Sequence, residues 1–170
     1  SIVYQPNKKD YLRVSFSSAI RNPTLTDQYL HYNVGRAILL GNISGYDNLI
    51  TLNSFVDFLN TGLKDTLEYF NIAPIRPEQV KTIEIGYRTT LFNVLFADLG
   101  YYFSRYKDFI GYQIGINAFI PQGSALPTSV QAYRVSSNAQ DQVTTQGFSI
   151  GLNYFFKTKY VLKGNYSWNV

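Results

Sequence analysis

Alternation of apolar and polar side chains is the dominant pattern of the chain, and it is clearest between Thr144 and Phe156. Even positions from Phe148 onward are apolar or aromatic, whereas odd positions from Gly147 to Asn153 are Gly, Ser, Gly and Asn. Because side chains of a strand point alternately to opposite faces of its sheet, this segment predicts a strand with one apolar and one small or polar face. Such a strand suits a soluble sheet, with that apolar face in a core, or a transmembrane barrel, with that face in lipid.

Five segments share this alternation. Short turns alternate with long connections between them. The predicted strands are Tyr11–Ile20, Glu78–Leu91, Val94 to about Tyr106, about Gln131 to Phe156, and Tyr160–Val170, and Ser1–Tyr4 is predicted to end an earlier strand. The predicted short turns are Gln5–Asp10, Thr90–Asn93 and Lys157–Lys159, and the long connections are Arg21–Arg76 and Lys107–Ser129. Short turns at one end and long loops at the other are typical of outer-membrane barrels. The pattern therefore predicts an all-β fold of antiparallel up-and-down strands, part of a large transmembrane barrel.

The first long connection contains a helical pattern over Ser54–Tyr69. Apolar residues recur there at every fourth position, namely Phe55, Leu59, Leu63 and Leu67. Ser54 is the predicted N-cap, since its hydroxyl can accept a backbone N–H of the first turn. Gly62 falls in the middle of the pattern, where it costs about 1 kcal/mol relative to Ala. We expect a small helix packed over or into a loop, and an otherwise irregular connection.

Composition narrows the class of protein. Charged residues make up 15% of the chain, below the about 25% of a typical soluble domain, while aromatic residues make up 16%. The chain has no cysteine, so disulfides and thiolate metal sites are excluded. Its net charge of +4 is mild and includes no basic block, so we expect no nucleic-acid partner. No run approaches the roughly 18 consecutive apolar residues of a spanning helix.

The sequence contains no motif that indicates catalysis. The sequence lacks a G-x-S-x-G elbow, an H-E-x-x-H pair and a P-loop, and it contains one histidine. A lone histidine without further ligands is a poor metal site. We therefore expect no enzyme activity, no catalytic residues, no metal and no cofactor. The chain begins at Ser1 and ends within a predicted strand, so we expect it to be a piece of a longer polypeptide.

Several segments resemble barrel strands of TonB-dependent outer-membrane receptors. Arg13–Thr24 resembles the family's "S-x-x-F-R-x-P" segment, with Ala19 and Ile20 where Phe often precedes Arg21. Arg76–Arg88 resembles "L-x-P-E-x-x-x-x-x-E-x-G-x", with Pro77, Glu78, Glu84 and Gly86 on its fixed positions. Tyr101–Ile110 resembles "Y-F-x-x-x-Y-x-D-x-I", and Asn138, Gly147 and Phe148 fit "N-x-x-x-A-x-x-x-G-x-E", although Ser149 stands where an acidic residue is usual. Gly164–Ser167 resembles the next strand.

The resemblance implies both an architecture and a location. Receptors of this family have about twenty-two strands around a plugged lumen. Residues 1–170 would form one partial β-barrel domain of about five strands from the later part of the barrel, without the plug or the TonB box. The tyrosine-rich strands and large loops resemble those of receptors from the Bacteroidetes group. The expected location is the bacterial outer membrane.

The implied function is TonB-energised uptake of a scarce nutrient, such as an iron chelate, a cobalamin or a glycan. The implied partners are outer-membrane lipid, the receptor's own plug domain, the TonB complex and a small nutrient ligand. Two alternatives stay open: a non-transporting outer-membrane barrel, such as an adhesin or porin, and a soluble all-β binding module. In the last case the aromatic residues of the strands would belong to a core rather than to interfacial belts.

Two groups of candidate site residues follow. Four charged residues share the inferred lumen face: Arg13, Glu84, Arg88 and Asp98. They would line the lumen against plug or ligand, or form a structural charge ladder between neighbouring strands. Because long loops carry function while the sheet positions them, the candidate ligand-binding residues are Arg21, Tyr29, His31 and Tyr112. For His31, which lies beside Tyr29 early in the first long loop, the alternative is ordinary loop packing.

Overall fold

The computed structural model describes residues 1–124, 126–157 and 159–170 of the chain. Its elements, in chain order, are β1 (Ile2–Tyr4), β2 (Tyr11–Arg21), α1 (Leu25–Tyr29), β3 (His31–Asn33), β4 (Ala37–Leu40), β5 (Tyr46–Thr51), α2 (Leu52–Thr61), a 3-10 helix (Lys64–Thr66), β6 (Tyr69–Ile72), β7 (Glu78–Leu91), β8 (Leu95–Lys107), β9 (Ile110–Phe119), β10 (Ser129–Asn138), β11 (Val143–Phe156) and β12 (Tyr160–Asn169). They fall into two compact units. Unit 1 comprises Ser1–Ile20, Gln79–Lys107 and Gln142–Val170, and unit 2 comprises Arg21–Glu78 and Asp108–Asp141.

Unit 1 is a six-stranded sheet in the order β1-β2-β7-β8-β11-β12. The pairings β1–β2, β7–β8, β8–β11 and β11–β12 are antiparallel. The prediction of an all-β fold of antiparallel strands with a small helix in a long loop is confirmed, and β7 has the predicted bounds. The predicted turn Lys157–Lys159 includes Thr158, and the predicted loop Lys107–Ser129 includes Ala125, both of which lie outside the described residues.

The turn between β7 and β8 shows why the chain reverses there. Phe92 and Asn93 both have positive φ, 53° and 60°, as the two central residues of a type I′ turn do. The Val94 N–H donates to the Leu91 carbonyl at 3.1 Å and closes the turn. This backbone twist matches that of the flanking strands, which fixes the register of the hairpin.

The apolar face of unit 1 lies open. Tyr101 pairs with Ile85 and with Phe148, and Phe148 pairs with Trp168, so these residues form one row on that face. Ile85 is 44% exposed, Tyr101 42% and Trp168 44%. Among the residues of this unit that the structure describes, Ala97 is the only hydrophobic residue that is buried. A soluble sheet buries its apolar face against another layer, whereas a barrel wall turns it toward lipid.

Unit 2 has a second six-stranded sheet, in the order β3-β4-β10-β9-β5-β6. The pairing of β4 with β10 is parallel, whereas the pairings β3–β4, β9–β10, β5–β9 and β5–β6 are antiparallel. Leu40 of β4, Val135 of β10, Leu49 of β5 and Ile72 of β6 pack into one buried cluster. Since β4 and β6 are not neighbours in the sheet, their contact with a common cluster requires the sheet to curl around it.

Three predictions for this part of the chain are wrong. The connection Arg21–Arg76, predicted to be irregular apart from one helix, contains four strands and α1. The loop predicted at Lys107–Ser129 contains β9, whose residues alternate and pair with β10 along its whole length. The strand predicted from Gln131 to Phe156 is two strands in two different sheets, because the polar segment 139–142 interrupts it.

The helix is also shorter than predicted. Thr51, not Ser54, is the N-cap of α2, and its hydroxyl accepts the Ser54 N–H at 3.3 Å. Gly62 is the C-cap rather than a mid-helix residue, with φ of 70° and its N–H donating to the Phe58 carbonyl at 2.8 Å. Glycine tolerates this left-handed conformation, which explains why the helix ends there.

The buried face of α2 differs from the predicted stripe. Phe55 and Phe58 pack with Ile50 and Ile116 in a second buried cluster. Leu59, which belongs to the predicted apolar stripe, is 47% exposed. Leu63, from the same stripe, follows the helix and is exposed as well.

Candidate functional site

One face of the unit 1 sheet carries rows of small and polar residues. The central row is Gly86, Gly100, Ser149 and Ser167, which are in register across β7, β8, β11 and β12. The flanking rows are Glu84, Tyr102, Gly147 and Asn169 on one side, and Arg88, Asp98, Gly151 and Asn165 on the other. Except for Gly147, Gly151 and Asn165, the residues of these rows line an open groove of about 480 Å³ together with Arg13. We call it the polar groove.

The polar groove brings the four predicted lumen residues together as two ion pairs. Arg88 contacts Asp98 Oδ2 through Nη2 at 2.7 Å and through Nε at 3.2 Å. Arg13 Nη2 lies 3.9 Å from Glu84 Oε2, which also accepts a hydrogen bond from the Ser15 hydroxyl at 3.1 Å. All four charged side chains are about half exposed, and exposed pairs of this kind contribute about 0–1 kcal/mol. The pairs therefore fix where charge lies along the groove more than they stabilise the sheet.

Small residues keep the centre of the polar groove open. A Cβ added at Gly86 would lie 3.8 Å from Arg13 Nε, so the Arg13 side chain lies over this glycine. A Cβ added at Gly147 would lie 2.7 Å from Tyr102 Cε1, which is closer than real Cβ contacts. Gly147 thus leaves room for Tyr102, whose hydroxyl donates to Asn169 Oδ1 at 3.0 Å across β11.

The four candidate ligand residues lie in different places in unit 2. Tyr29 and His31 line one shallow pocket together with Gly41 and Tyr46. Tyr112 lies on β9, outside the lining of that pocket. Tyr29 and Tyr112 are 60% and 57% exposed, as a role in ligand contact requires.

Arg21 has a structural partner. Its Nη2 lies 3.2 Å from Glu78 Oε2, and the same oxygen accepts the Ile110 N–H at 2.9 Å. The Glu78 side chain is 8% exposed, so this carboxylate is held between a guanidinium and a backbone donor. Charge-assisted hydrogen bonds to buried groups are among the stronger ones in proteins. Arg21 therefore anchors the start of β9 in addition to any contact with ligand.

Two residues of unit 2 join the candidate set although the sequence prediction missed them. The Arg134 guanidinium carbon lies 3.5 Å from the centroid of the Tyr112 ring, a cation–π contact. Burial raises the pKa of Tyr46, and the neighbouring Tyr133 raises it further, so Tyr46 stays protonated and its hydroxyl donates to the Gly41 carbonyl at 3.0 Å. The alternation of β9 and β10 is the signal that could have placed Arg134 beside Tyr112.

One carboxylate fastens the β1–β2 turn to β7. Asp10 accepts hydrogen bonds from the hydroxyls of Thr89 and Tyr87 and from the side-chain amide of Asn7. The bond from Thr89, followed by those from Asn7 and Tyr87, lowers the pKa of Asp10 below its ordinary value of 3.8. The carboxylate stays charged at neutral pH and holds Asn7 and Thr89 at the same end of the sheet.

Neither metal chemistry nor a helical span is visible in the part of the chain that the structure describes. Over residues 1–124, 126–157 and 159–170, no group of three or more His, Cys, Asp or Glu side chains is arranged to hold a metal ion. No helix in these ranges is both long enough and apolar enough to cross a bilayer.

Comparison with known proteins places the chain in a family. The model of the family "TonB dependent receptor-like, beta-barrel" matches residues 1–170. The crystal structure of the siderophore receptor PirA from Acinetobacter baumannii is similar, with a TM-score of 0.55 and 14% identity over 99% of this chain. The chain spans 22% of the length of that receptor, and no curated protein matches significantly in sequence. The chain belongs to the TonB-dependent receptor-like β-barrel family, whose barrels lie in the bacterial outer membrane.

Proposed function

We propose that this chain forms part of the wall and outer loops of a receptor that takes up a scarce nutrient by TonB-energised transport. The observation that carries the proposal is the two-sided sheet of unit 1. Side chains of its apolar face are exposed, and its opposite face carries the polar groove. This is the arrangement of a barrel wall between lipid and a water-filled lumen. Receptors of this family are transporters rather than enzymes, which agrees with the sequence prediction.

Residues 1–170 would act as one partial barrel domain within a longer receptor. The receptor would complete its barrel with further strands and would use its own plug domain and the TonB complex as partners. The charged rows of the polar groove, with Arg13–Glu84 and Arg88–Asp98, support a lumen that contacts plug or ligand. A porin or adhesin with the same wall is the alternative, and dependence on TonB separates it from a transporter.

Unit 2 would supply ligand contacts. Tyr29, His31 and Tyr112 are exposed, and Arg134 stacks on Tyr112 so that cation and aromatic ring are presented together. Such a surface suits a compact polar ligand with planar or anionic groups, as many iron chelates have. Cobalamins and glycans are the other candidate classes. The similarity to a siderophore receptor at 14% identity supports the fold alone.

The test is uptake by the full-length receptor in cells with and without TonB. Radiolabelled iron chelate, cobalamin and oligosaccharide are supplied separately, and surface labelling confirms that the receptor is inserted. We expect uptake of one class only, and loss of that uptake without TonB. Uptake that is unchanged without TonB, or no uptake of any class by an inserted receptor, would favour the porin or the adhesin.

The ligand surface is tested with Tyr112→Ala against Tyr69→Ala. Both tyrosines are exposed strand residues of unit 2, at 57% and 60%, but Tyr69 has no cation stacked on it among the described residues. We expect the first variant to weaken ligand binding and the second to retain it. Equal binding by the two variants would remove Tyr112 from the site.

A further inference from the structure

Three turns lie together at one end of the unit 1 sheet. Antiparallel pairing of β8 with β11 puts the β7–β8 and β11–β12 turns at the same end. The hydrogen bonds from Thr89 and Tyr87 to Asp10 bring the β1–β2 turn there as well. We call these turns, residues 5–10, 92–94, 157 and 159, the turn edge. Short turns lie at the periplasmic end of outer-membrane barrels.

Positive charge is concentrated at the turn edge. Its lysines are Lys8, Lys9, Lys157 and Lys159, and all four are exposed. Asp10 is the one carboxylate among the described residues of these turns, and three side chains already donate to it. Four lysines and one carboxylate leave an excess of three positive charges, while the whole chain carries +4. The turn edge therefore holds most of the net positive charge of the chain, and the rest carries about +1.

Aromatic side chains accompany these lysines. Phe92 is 86% exposed although its φ of 53° lies in a region that costs a residue with a side chain about 1–2 kcal/mol. Packing of the ring itself does not offset that cost, because the ring is almost fully exposed. Lys157 Nζ lies 5.2 Å from the centroid of the Phe156 ring, and Tyr160 is 67% exposed. Aromatic rings beside cations are typical of the level at which lipid headgroups lie.

We propose that the turn edge binds the anionic headgroups of glycerophospholipids, of the phosphatidylglycerol type, in the leaflet that faces the periplasm. The lysines supply the attraction to phosphate, and the aromatic rings enter the region just below it. A lysine near an anionic lipid surface contributes about 1 kcal/mol, whereas zwitterionic headgroups offer no net charge to pair with it. The inference depends on the location of the barrel in the outer membrane and is independent of whether the receptor transports.

The experiment measures lipid binding by the purified full-length receptor in a neutral detergent. Phosphatidylglycerol or phosphatidylethanolamine is titrated in, and retained lipid is counted by native mass spectrometry. Two double variants test the edge, Lys8→Gln with Lys9→Gln and Lys157→Gln with Lys159→Gln. The matched control is Lys81→Gln with Lys107→Gln, which removes the same charge from exposed lysines of β7 and β8. Heat-modifiability on gels confirms that each receptor is folded.

We expect the unsubstituted receptor to retain phosphatidylglycerol in preference to phosphatidylethanolamine. Each lysine removed from the edge should weaken that preference about fivefold, which corresponds to about 1 kcal/mol. The control variant should keep the preference within about twofold, and high salt should reduce the preference of the unsubstituted receptor because exposed charges are screened. Equal retention of the two lipids by the unsubstituted receptor would overturn the proposal. Equal loss in control and edge variants would also overturn it.

Discussion

Replacing Gly41 by Ala should disturb the segment that carries Tyr29 and His31. Gly41 is buried, and its N–H donates to the Leu30 carbonyl at 2.7 Å. A Cβ on Gly41 would lie 2.6 Å from Leu30 N, with the backbone of Gln28 and Tyr29 nearer still. Ordinary contacts of a Cβ begin at about 3.4 Å, so the end of α1 would have to move by about 1 Å, and overpacking of this kind costs about 1–3 kcal/mol.

The assay is hydrogen exchange of the full-length receptor, read on peptides from the segment 21–78. The Asn42 N–H donates to the Asp27 carbonyl at 2.8 Å and reports on the same contact. A loss of about 1.4 kcal/mol corresponds to about tenfold faster exchange through local opening. Ligand binding should weaken in parallel, because Tyr29 and His31 move with α1.

Gly111→Ala is the matched control for this prediction. Gly111 also belongs to unit 2, and a Cβ there would meet nothing within 4 Å. Its exchange rates and ligand binding should stay close to those of the unsubstituted receptor. If the 21–78 peptides of Gly41→Ala exchanged no faster than those of Gly111→Ala, the result would contradict the close approach of the end of α1 to Gly41.

Three further outcomes follow from the contacts above. Glu78→Ala leaves the Ile110 N–H without its acceptor and should lower local stability at the start of β9 by about 1–3 kcal/mol, measured by hydrogen exchange, whereas Glu78→Gln should lose less. Because the folded pKa of Asp10 is lowered, its contribution to stability is present above the ordinary pKa of 3.8 and is lost as the pH falls through the lower folded value. Proteolysis of the β1–β2 turn should therefore increase at low pH, and Asp10→Asn should show that increase already at neutral pH; a variant as resistant as the parent would argue against the bonds. Replacing Arg21–Arg76 by a short linker should abolish uptake and leave insertion intact, and full uptake by that variant would limit this chain to a structural wall.

The strands of unit 1 could be predicted because the polarity of each residue indicates the face of the sheet on which its side chain lies. Over Thr82–Arg88 the period of two is unbroken, and the positive φ angles of Phe92 and Asn93 reverse the chain soon after it. No distant partner is needed to recognise such a strand, since lipid and lumen impose the same alternation on every strand of a barrel wall.

Unit 2 was harder because its elements depend on distant partners. The parallel pairing of β4 with β10 joins residues almost one hundred positions apart. No local sequence pattern indicates this pairing. In α2, both Leu59 and Phe58 satisfy helical spacing from residues one turn earlier. Ile50 and Ile116 decide between them, since they form the surface on which Phe58 is buried.

The candidate sites divide in the same way. Arg88 and Asp98 could be placed together because they lie opposite each other in a hairpin whose turn is evident. The ion pair between Arg21 and Glu78 could not be predicted, because these two residues are 57 positions apart. The fold of the segment that joins them was not predicted either. Residue type alone shows that a side chain can bind a ligand. It does not show whether the side chain already has a partner within the protein, as Arg21 has in Glu78.

The most direct test of the two-sided wall uses single cysteines along β11, since the chain contains none of its own. A spin label is attached at each position from Phe148 to Leu152 in the full-length receptor in lipid bilayers, with any cysteines elsewhere removed. Collisions with oxygen report on lipid, and collisions with a water-soluble nickel complex report on the lumen. Positions 148, 150 and 152 should favour oxygen, and positions 149 and 151 should favour nickel. Equal accessibility at all five positions, or the reverse alternation, would contradict the account.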